Sequence, residues 1–139
     1  MAPIPALFSV PIEPKGSIIC TQHAPSTYLL TFQSPPDNRL LPAFCKSMLL
    51  ALDILDHRFP KGVVVTTSGI MKFYSNGLDY ESAMKTKGFF ADSLYPLWRR
   101  LLTWVLLLAL TSRLPSALFF VGVDKLALEI ATQCPPLPS

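Results

Sequence analysis

Residues 40–67 read LLPAFCKSMLLALDILDHRFPKGVVVTT, and this stretch decides the fold. In its first half, apolar residues recur three or four positions apart, which is the spacing of one face of an α-helix. These residues are Leu41, Phe44, Met48, Leu52 and Leu55. The pattern predicts a helix over residues 40–56, and Pro60 and Gly62 mark the break that follows it.

The stretch ends in residues 63–67, a run of β-branched side chains with no polar interruption until its end. Such a run is typical of a strand that is buried on both faces. A helix that leads into a buried strand indicates a β-α-β crossover between parallel strands. The stretch therefore predicts an α/β fold.

Three short apolar runs, broken by proline and glycine, precede this unit at residues 6–12, 17–21 and 28–32. The last run, YLLTF, is rich in strand-favouring residues and is bounded by Pro25 and Pro35. We interpret the three runs as antiparallel strands joined by tight connections.

The segment SPPDN, residues 34–38, is a turn because proline, serine, aspartate and asparagine dominate turns. We expect either Asp37 or Asn38 to cap the helix that follows. Both side chains accept hydrogen bonds from the free N–H groups of a first helical turn.

Two further helices are predicted after the buried strand. Residues 80–84 form a short helical pattern, and residues 89–102 form a longer amphipathic one. The apolar side of the longer pattern carries Phe90, Leu94, Leu97 and Leu101. Pro96 lies inside it, so we expect a kink or two shorter helices there.

The composition limits the classes of function. Of the 139 residues, 50% are hydrophobic and 15% are charged, and the formal net charge of +3 is mild. The 12 basic residues are scattered, which argues against a nucleic-acid partner. Three cysteines form no CxxC pair and two histidines have no ligand-like spacing, so we expect no metal site and a reducing compartment. Neither terminus carries a recognisable targeting signal.

The segment SNGLD, residues 75–79, is the candidate functional motif. It follows the buried strand, and α/β proteins place ligands in the loops at the carboxyl ends of parallel strands. Its glycine allows a backbone conformation in which N–H groups face a cleft and donate to an oxygen that gains negative charge. An ordinary turn is the alternative, because Asn-Gly is a common turn dipeptide and serine and aspartate are common caps.

A wider pattern resembles a known family. Residues 38–40 (NRL), residues 63–67 and residues 73–79 (FYSNGLD) are similar in order and spacing to the first half of the crotonase superfamily. The last segment looks most like the Δ3,Δ2-enoyl-CoA isomerase branch. The resemblance covers roughly residues 5–103 and implies an incomplete crotonase-like (ClpP/crotonase) core.

The resemblance implies an enoyl-CoA isomerase or hydratase (a lyase), which stabilises the enolate of an unsaturated acyl-CoA in an oxyanion hole. In that family the residue after the motif glycine supplies one N–H to the thioester carbonyl, a role that falls here on the Leu78 backbone. The implied substrate-binding residues are Ser75, Asn76, Gly77, Leu78 and Asp79. No cofactor is implied beyond the CoA of the substrate. Relatives form trimers and hexamers in the peroxisome or cytoplasm and serve fatty-acid oxidation or specialised metabolite and toxin pathways.

Residues 104–139 do not match the family, whose second oxyanion donor and catalytic glutamates belong to a later glycine-rich segment. Asp79 and Glu81 lie near the site in sequence, but a charge at a helix start, complementing the helix dipole, explains each of them better than a catalytic role does. Lys85 and Lys87 are candidates for CoA phosphates or for a solvated face. The alternative function is therefore a truncated, catalytically inactive member that binds acyl-CoA or assembles with full-length relatives.

The C-terminal segment, residues 104–139, is apolar. Our hypothesis is that residues 104 to about 132 translate a retained intron and that family coding sequence resumes out of frame. The sequence CPPLPS at residues 134–139 is what a one-base shift of codons for the family stretch MPTVAL gives when their third bases are suitably chosen. A membrane-associated protein is a third hypothesis. Only 12 uncharged residues lie between Leu101 and Ser112, fewer than the roughly 20 that a transmembrane helix needs, so we expect no membrane span.

Overall fold

The structure is a computed structural model that describes residues 4–72, 74–110 and 119–121, with side chains described up to residue 103. It is an α/β arrangement of strands and helices. In chain order the elements are β1 (Ala6–Pro11), β2 (Ser17–Ala24), β3 (Thr27–Gln33), α1 (Pro42–Arg58), β4 (Val63–Ser68), α2 (Tyr80–Lys85), a π-helical turn (Phe90–Leu94), α3 (Tyr95–Leu110) and β5 (Phe119–Val121).

Within the described residues the five strands form one mixed sheet in the order β1-β2-β3-β4-β5. The first three strands pair in an antiparallel manner, as predicted from the short apolar runs. Strand β4 lies parallel to β3, and β5 lies parallel to β4. The unit β3-α1-β4 is therefore the predicted crossover.

Helix α1 supplies one side of the core. The helix is confirmed with bounds two residues later than expected, and its apolar stripe faces the sheet. Its buried residues are Phe44, Cys45, Met48, Ala51, Leu52 and Leu55, which pack in one cluster with Ile18, Cys20, Leu30, Phe32 and Val64. Each large apolar side chain buried there contributes about 1.5–3 kcal/mol to folding. Burial raises the pKa of both the Cys20 and the Cys45 thiols to about 11, so these two cysteines are inert core residues.

The predicted cap of α1 is wrong. The N-cap residue is Leu41 in an extended conformation, and its side chain makes no capping hydrogen bond. Pro42 opens the helix, where a residue without an N–H leaves one fewer donor to satisfy. Asp37 and Asn38 lie before this start, and their side chains bond to other segments instead.

The predicted burial of β4 on both faces is also wrong for the described part of the chain. Val64 and Thr66 are buried, whereas Val63, Val65 and Thr67 are partly exposed. Val64 belongs to the core cluster that α1 covers. Thr67 lies in register with Thr31 and Ile19 on the opposite face, where Ile19 remains 38% exposed. One face of the sheet is thus covered and the other is half-open.

The helices after β4 follow the prediction closely. The short helix is confirmed as α2. The longer pattern is divided into a π-helical turn and α3, and Pro96, which has no N–H to donate, lies two residues after the π-helical turn. Arg100 of α3 reaches α1 through ion pairs to Asp53 (2.9 Å) and Asp56 (3.0 Å).

Most of the C-terminal segment, residues 104–139, lies outside the described residues, and so does any test of its proposed origin. The backbone of α3 continues to Leu110, and Phe119–Val121 adds the short strand β5. Among the residues that the structure describes, no helix is both long and apolar enough to cross a membrane.

Candidate functional site

Two loops meet at the carboxyl edge of the parallel strands. The β3 loop, residues 34–41, leads from β3 into α1, and the β4 loop, residues 69–79, leads from β4 into α2. Neighbouring parallel strands end at the same edge of a sheet, so the loops that follow them lie side by side. The predicted motif, residues 75–79, is the second half of the β4 loop.

Backbone hydrogen bonds hold the two loops together. The Leu40 N–H donates to the Gly77 carbonyl at 2.8 Å, and the Asn76 N–H donates to the Asp37 carbonyl at 3.0 Å. Leu40 and Leu78 are paired as in a parallel ladder. The motif is thus fixed against the β3 loop by an isolated parallel β-bridge outside the main sheet.

Asn38 is the buried anchor of this contact. Its backbone φ of 55° is left-handed, a conformation that asparagine tolerates better than most residues. The side-chain Nδ2 donates to the Ser68 Oγ at 2.7 Å and to the Tyr74 carbonyl at 3.0 Å. The side-chain Oδ1 accepts from the Ser34 N–H at 2.6 Å. One residue therefore joins the turn after β3, the end of β4 and the β4 loop.

Ser75 continues the anchoring towards the motif glycine. Its Oγ donates to the Asn38 carbonyl at 2.7 Å and accepts from the Gly77 N–H at 3.1 Å. Gly77 has a φ of +78°, and a Cβ added there would meet no heavy atom within 4 Å. The glycine therefore satisfies a left-handed turn and borders open space.

The Leu78 N–H is the next donor along the chain, and no described residue offers it a hydrogen-bond acceptor. Leu78 is half-buried, and its side chain packs against the core. An N–H at a fixed position that no described residue accepts can donate to water or to a bound ligand, so it is a candidate ligand contact. Such a group can bind an oxygen that becomes negatively charged during a reaction.

The Asp37 carboxylate closes the contact on the other side of the motif. Its Oδ2 accepts from the Asn76 Nδ2 at 2.9 Å and from the Arg39 Nε at 3.0 Å. The hydrogen bond from the Asn76 side chain, helped by Arg39, lowers the pKa of Asp37 below its ordinary value. A carboxylate with a lowered pKa is a weak base, so Asp37 is suited to holding the loops rather than to moving a proton.

The carboxylates of Asp79, the last residue of the motif, and of Glu81 are engaged as well. The Asp79 Oδ1 accepts from the Ser82 N–H at 3.0 Å and caps α2. This is the structural role at a helix start that the sequence analysis gave as the alternative to catalysis. Glu81 forms an exposed ion pair with Lys85, one turn along the same helix. Lys85 and Lys87 are both exposed, in keeping with a solvated face. No described His, Cys, Asp or Glu residues cluster as a group that could hold a metal ion.

The structure brings Ser75, Asn76, Gly77 and Leu78 together against the β3 loop. The Asn76 side chain turns towards Asp37. Sequence reasoning missed the anchoring roles of Asp37 and Asn38, which contact residues 36 to 39 positions away along the chain. The polar residues 34–38 predicted a turn, but they did not indicate the distant residues to which the turn is hydrogen-bonded.

Tyr74 supports the β4 loop from below. Its ring packs edge-on against Phe32, with ring centroids 5.1 Å apart, and its Oη lies 2.6 Å from the Thr66 Oγ1. Burial raises the pKa of the Tyr74 hydroxyl above its ordinary value. The loop is therefore held by the core on one side and by the β3 loop on the other.

A separate shallow depression lies on α3 and is lined mainly by Tyr95, Trp98 and Leu102, which are all more than half exposed. It is open and mainly apolar, and the described residues that line it also include Arg99 and Thr103. It is therefore less enclosed than a typical small-molecule site.

Comparisons of this chain with protein-family models, with curated proteins and with solved structures find no match. The likeness to the crotonase superfamily therefore stays an interpretation of the residues quoted above, and the function that it implies is a proposal.

Proposed function

We propose that this chain binds the thioester carbonyl of an unsaturated acyl-CoA through the Leu78 N–H, as an enoyl-CoA isomerase/hydratase of the crotonase type would. The single observation that carries the proposal is the N–H of the half-buried residue Leu78, which has no hydrogen-bond acceptor among the described residues. It follows a left-handed glycine with open space beside it.

The fixed position of this donor favours a role in stabilising charge. The bonds at Leu40, Ser75 and Asn76 hold the backbone on the N-terminal side of Leu78 before any ligand arrives. A donor that is already oriented needs no reorganisation when an enolate oxygen gains negative charge, and one such donor typically contributes about 10²–10³ in rate. A donor that binds the enolate better than the ground-state carbonyl accelerates the reaction.

The proton transfer that isomerisation requires has no candidate group in the described site. Shifting a double bond from C3 to C2 needs a base that removes a proton from C2 and returns one at C4. Asp37 is ion-paired, Asp79 caps α2 and Glu81 pairs with Lys85. These commitments favour the second candidate function, a family member that binds acyl-CoA, or assembles with full-length relatives, with at most trace turnover.

Two substitutions at one position test the proposal. Leu78→Pro deletes the N–H donor, whereas Leu78→Ala keeps it and removes only side-chain packing. We expect the proline variant to lose at least about tenfold in affinity for a short 3-enoyl-CoA, and the alanine variant to change only modestly. Calorimetric titration of the purified chain measures both, and free CoA is the control for binding through the nucleotide part alone.

Circular dichroism and thermal unfolding of both variants would verify that each is folded at the titration temperature. An equal loss of affinity in the two variants would indicate side-chain packing rather than a backbone donor. Absence of 3-enoyl-CoA binding by the unsubstituted chain would refute the proposed function.

A further inference from the structure

Asn38 makes more hydrogen bonds than its turn requires. The residue is 0% exposed, and both its backbone and its side chain are engaged. Two of the bonds are local: its N–H donates to the Ser34 carbonyl at 2.8 Å, and its Oδ1 accepts from the Ser34 N–H at 2.6 Å. These local bonds are enough to form a turn of this kind, because asparagine commonly bonds its own nearby backbone.

The remaining bonds of Asn38 all leave the β3 loop. The Nδ2 bonds to Ser68 and to the Tyr74 carbonyl, and the Asn38 carbonyl accepts from the Ser75 Oγ. Tyr74 and Ser75 are consecutive, so Asn38 holds two adjacent residues of the β4 loop. Ser75 then passes the constraint to the Gly77 N–H. Two hydrogen bonds thus lead from the Asn38 carbonyl through the Ser75 hydroxyl to the Gly77 N–H, and the Asn38 side chain separately holds Tyr74, the residue before Ser75.

We infer that Asn38 is the positioning residue for the Leu78 N–H, and that it sets the direction in which this donor faces the thioester oxygen. The inference rests on the proposed function for its ligand, but the effect of Asn38 on the Leu78 amide is a property of the free chain. Asn38 does not touch the ligand. It acts through Tyr74 and Ser75.

Asn38→Asp is the sharpest variant because aspartate has the same shape and also tolerates the left-handed conformation. The new carboxylate keeps an acceptor for the Ser34 N–H but replaces the two Nδ2 donors by an oxygen. That oxygen faces the Tyr74 carbonyl, which is also an acceptor, so the bond is replaced by repulsion. Ser75→Ala is a second, milder variant that removes only the link through the Ser75 hydroxyl.

The test combines amide NMR of the full chain with titration of a short 3-enoyl-CoA. In Asn38→Asp we expect the Leu78 amide resonance to shift and to exchange faster with solvent, and the affinity for 3-enoyl-CoA to fall about tenfold. Ser75→Ala should move the same resonance in the same direction by less. Leu55→Val, which trims a core side chain of α1 without touching either loop, should lower stability and leave the Leu78 amide in place.

The outcomes separate the two ideas. If the unsubstituted chain binds no 3-enoyl-CoA while Asn38→Asp alone moves the Leu78 amide, the positioning role stands and the proposed ligand is wrong. If Asn38→Asp does not fold, Ser75→Ala decides the positioning role by the same resonance. An unchanged Leu78 amide in the loop variants, or an equal shift in Leu55→Val, would overturn the inference.

Discussion

The β3 loop and the β4 loop begin at the same edge of the sheet, but they differ in how far their polar groups are buried and hydrogen-bonded. In the β3 loop, Asp37 is 8% exposed and Asn38 is fully buried with all its hydrogen-bonding groups engaged. In the β4 loop, Asn76 is exposed, and the half-buried Leu78 keeps an N–H that no described residue accepts. The β3 loop therefore holds the β4 loop in position, and the β4 loop carries the donor that is open to a ligand.

The difference has a physical origin. A buried polar group that loses its partner costs about 1–3 kcal/mol. In the β3 loop, Asn38 and the Asp37 Oδ2 have partners, whereas the buried Asp37 Oδ1 has none among the described residues. Asp37, Asn38 and Leu40 also bond to the neighbouring β4 loop. These bonds hold the β4 loop in place, although the Leu78 N–H has no acceptor among the described residues.

The largest expected effect concerns the catalytic base and the second oxyanion donor, which this pair of loops does not provide. We predict that the 139-residue chain shows no more than trace turnover of 2-enoyl- or 3-enoyl-CoA. A chimera in which residues 104–139 are replaced by the corresponding segment of an active enoyl-CoA isomerase should gain about 10⁴-fold in kcat/KM, from a second donor and a base. The gain is less than the product of the two effects, since groups that act as a unit are not additive.

A side-by-side assay of the two purified proteins, followed at the absorbance of the conjugated product, measures this gain. Leu78→Pro in the chimera is the matched control and should remove most of it. Robust turnover by the 139-residue chain would mean that Asp79, Glu81 or another carboxylate is the base, and the contrast between a supporting loop and a donor-only loop would be wrong.

The crossover itself was predictable from residues that are near in sequence. The helical spacing of Phe44, Met48 and Leu52 and the β-branched run at residues 63–67 each reflect a local preference, and the structure has both elements in the expected order. The motif at residues 75–79 was also predictable as a turn, because glycine is needed where φ is +78°. Local patterns report local conformation, and these features are local.

The errors came from contacts between distant segments. Asparagine is a common helix cap, but the Asn38 side chain is hydrogen-bonded to Ser34 and to Tyr74, which is 36 residues away along the chain. Pro42 starts α1 without any side-chain cap. The sequence of residues 34–42 gives no information about a partner in the β4 loop, so it predicted a local role as a helix cap. The half-open face of β4 is a similar case, because burial of Val65 depends on which layers cover the sheet.

A smaller effect tests whether the turn of the β4 loop is shaped by its glycine alone. Gly77→Ala places a side chain at a φ of +78°, which costs about 1 kcal/mol in stability. The added methyl group meets no atom within 4 Å, so the cost is backbone strain without a clash. The same methyl group enters the open space beside Leu78 and should weaken binding of 3-enoyl-CoA.

Gly69→Ala is the matched control, because it lies in the same loop without a left-handed φ, and its new Cβ, 3.2 Å from the Gln33 Cβ and Oε1, requires only a small shift of that side chain. Chemical denaturation of the two variants gives the comparison. We expect the Gly69 variant to be close to the unsubstituted chain. Equal stability of both variants would show that the left-handed turn is not needed to hold the β4 loop.

The smallest expected effect is the pH dependence of the contact between Asp37 and Asn76. The hydrogen bond from the Asn76 side chain, with help from Arg39, lowers the folded-state pKa of Asp37, while the unfolded chain keeps the ordinary value of about 3.9. A group with a lowered folded pKa contributes its stability above the unfolded pKa and loses it as pH falls through the lower folded value. The contact should therefore be intact at neutral pH and weaken progressively below about pH 4.

Titration of the Asn76 backbone and side-chain amides by NMR reads this change directly, because both groups bond to Asp37. Asp37→Asn should abolish the acid transition of these amides, and the stability difference between the variant and the unsubstituted chain should shrink as pH falls below 4. Asp56→Asn, which removes a carboxylate at the far end of α1 where it meets Arg100, should leave the Asn76 transition unchanged. Asp79 also faces Arg39, at 3.9 Å, so Asp79→Asn separates its protonation from that of Asp37. If the acid transition survives in Asp37→Asn and disappears in Asp79→Asn, the two loops are joined through the cap of α2 and not through the buried β3 loop.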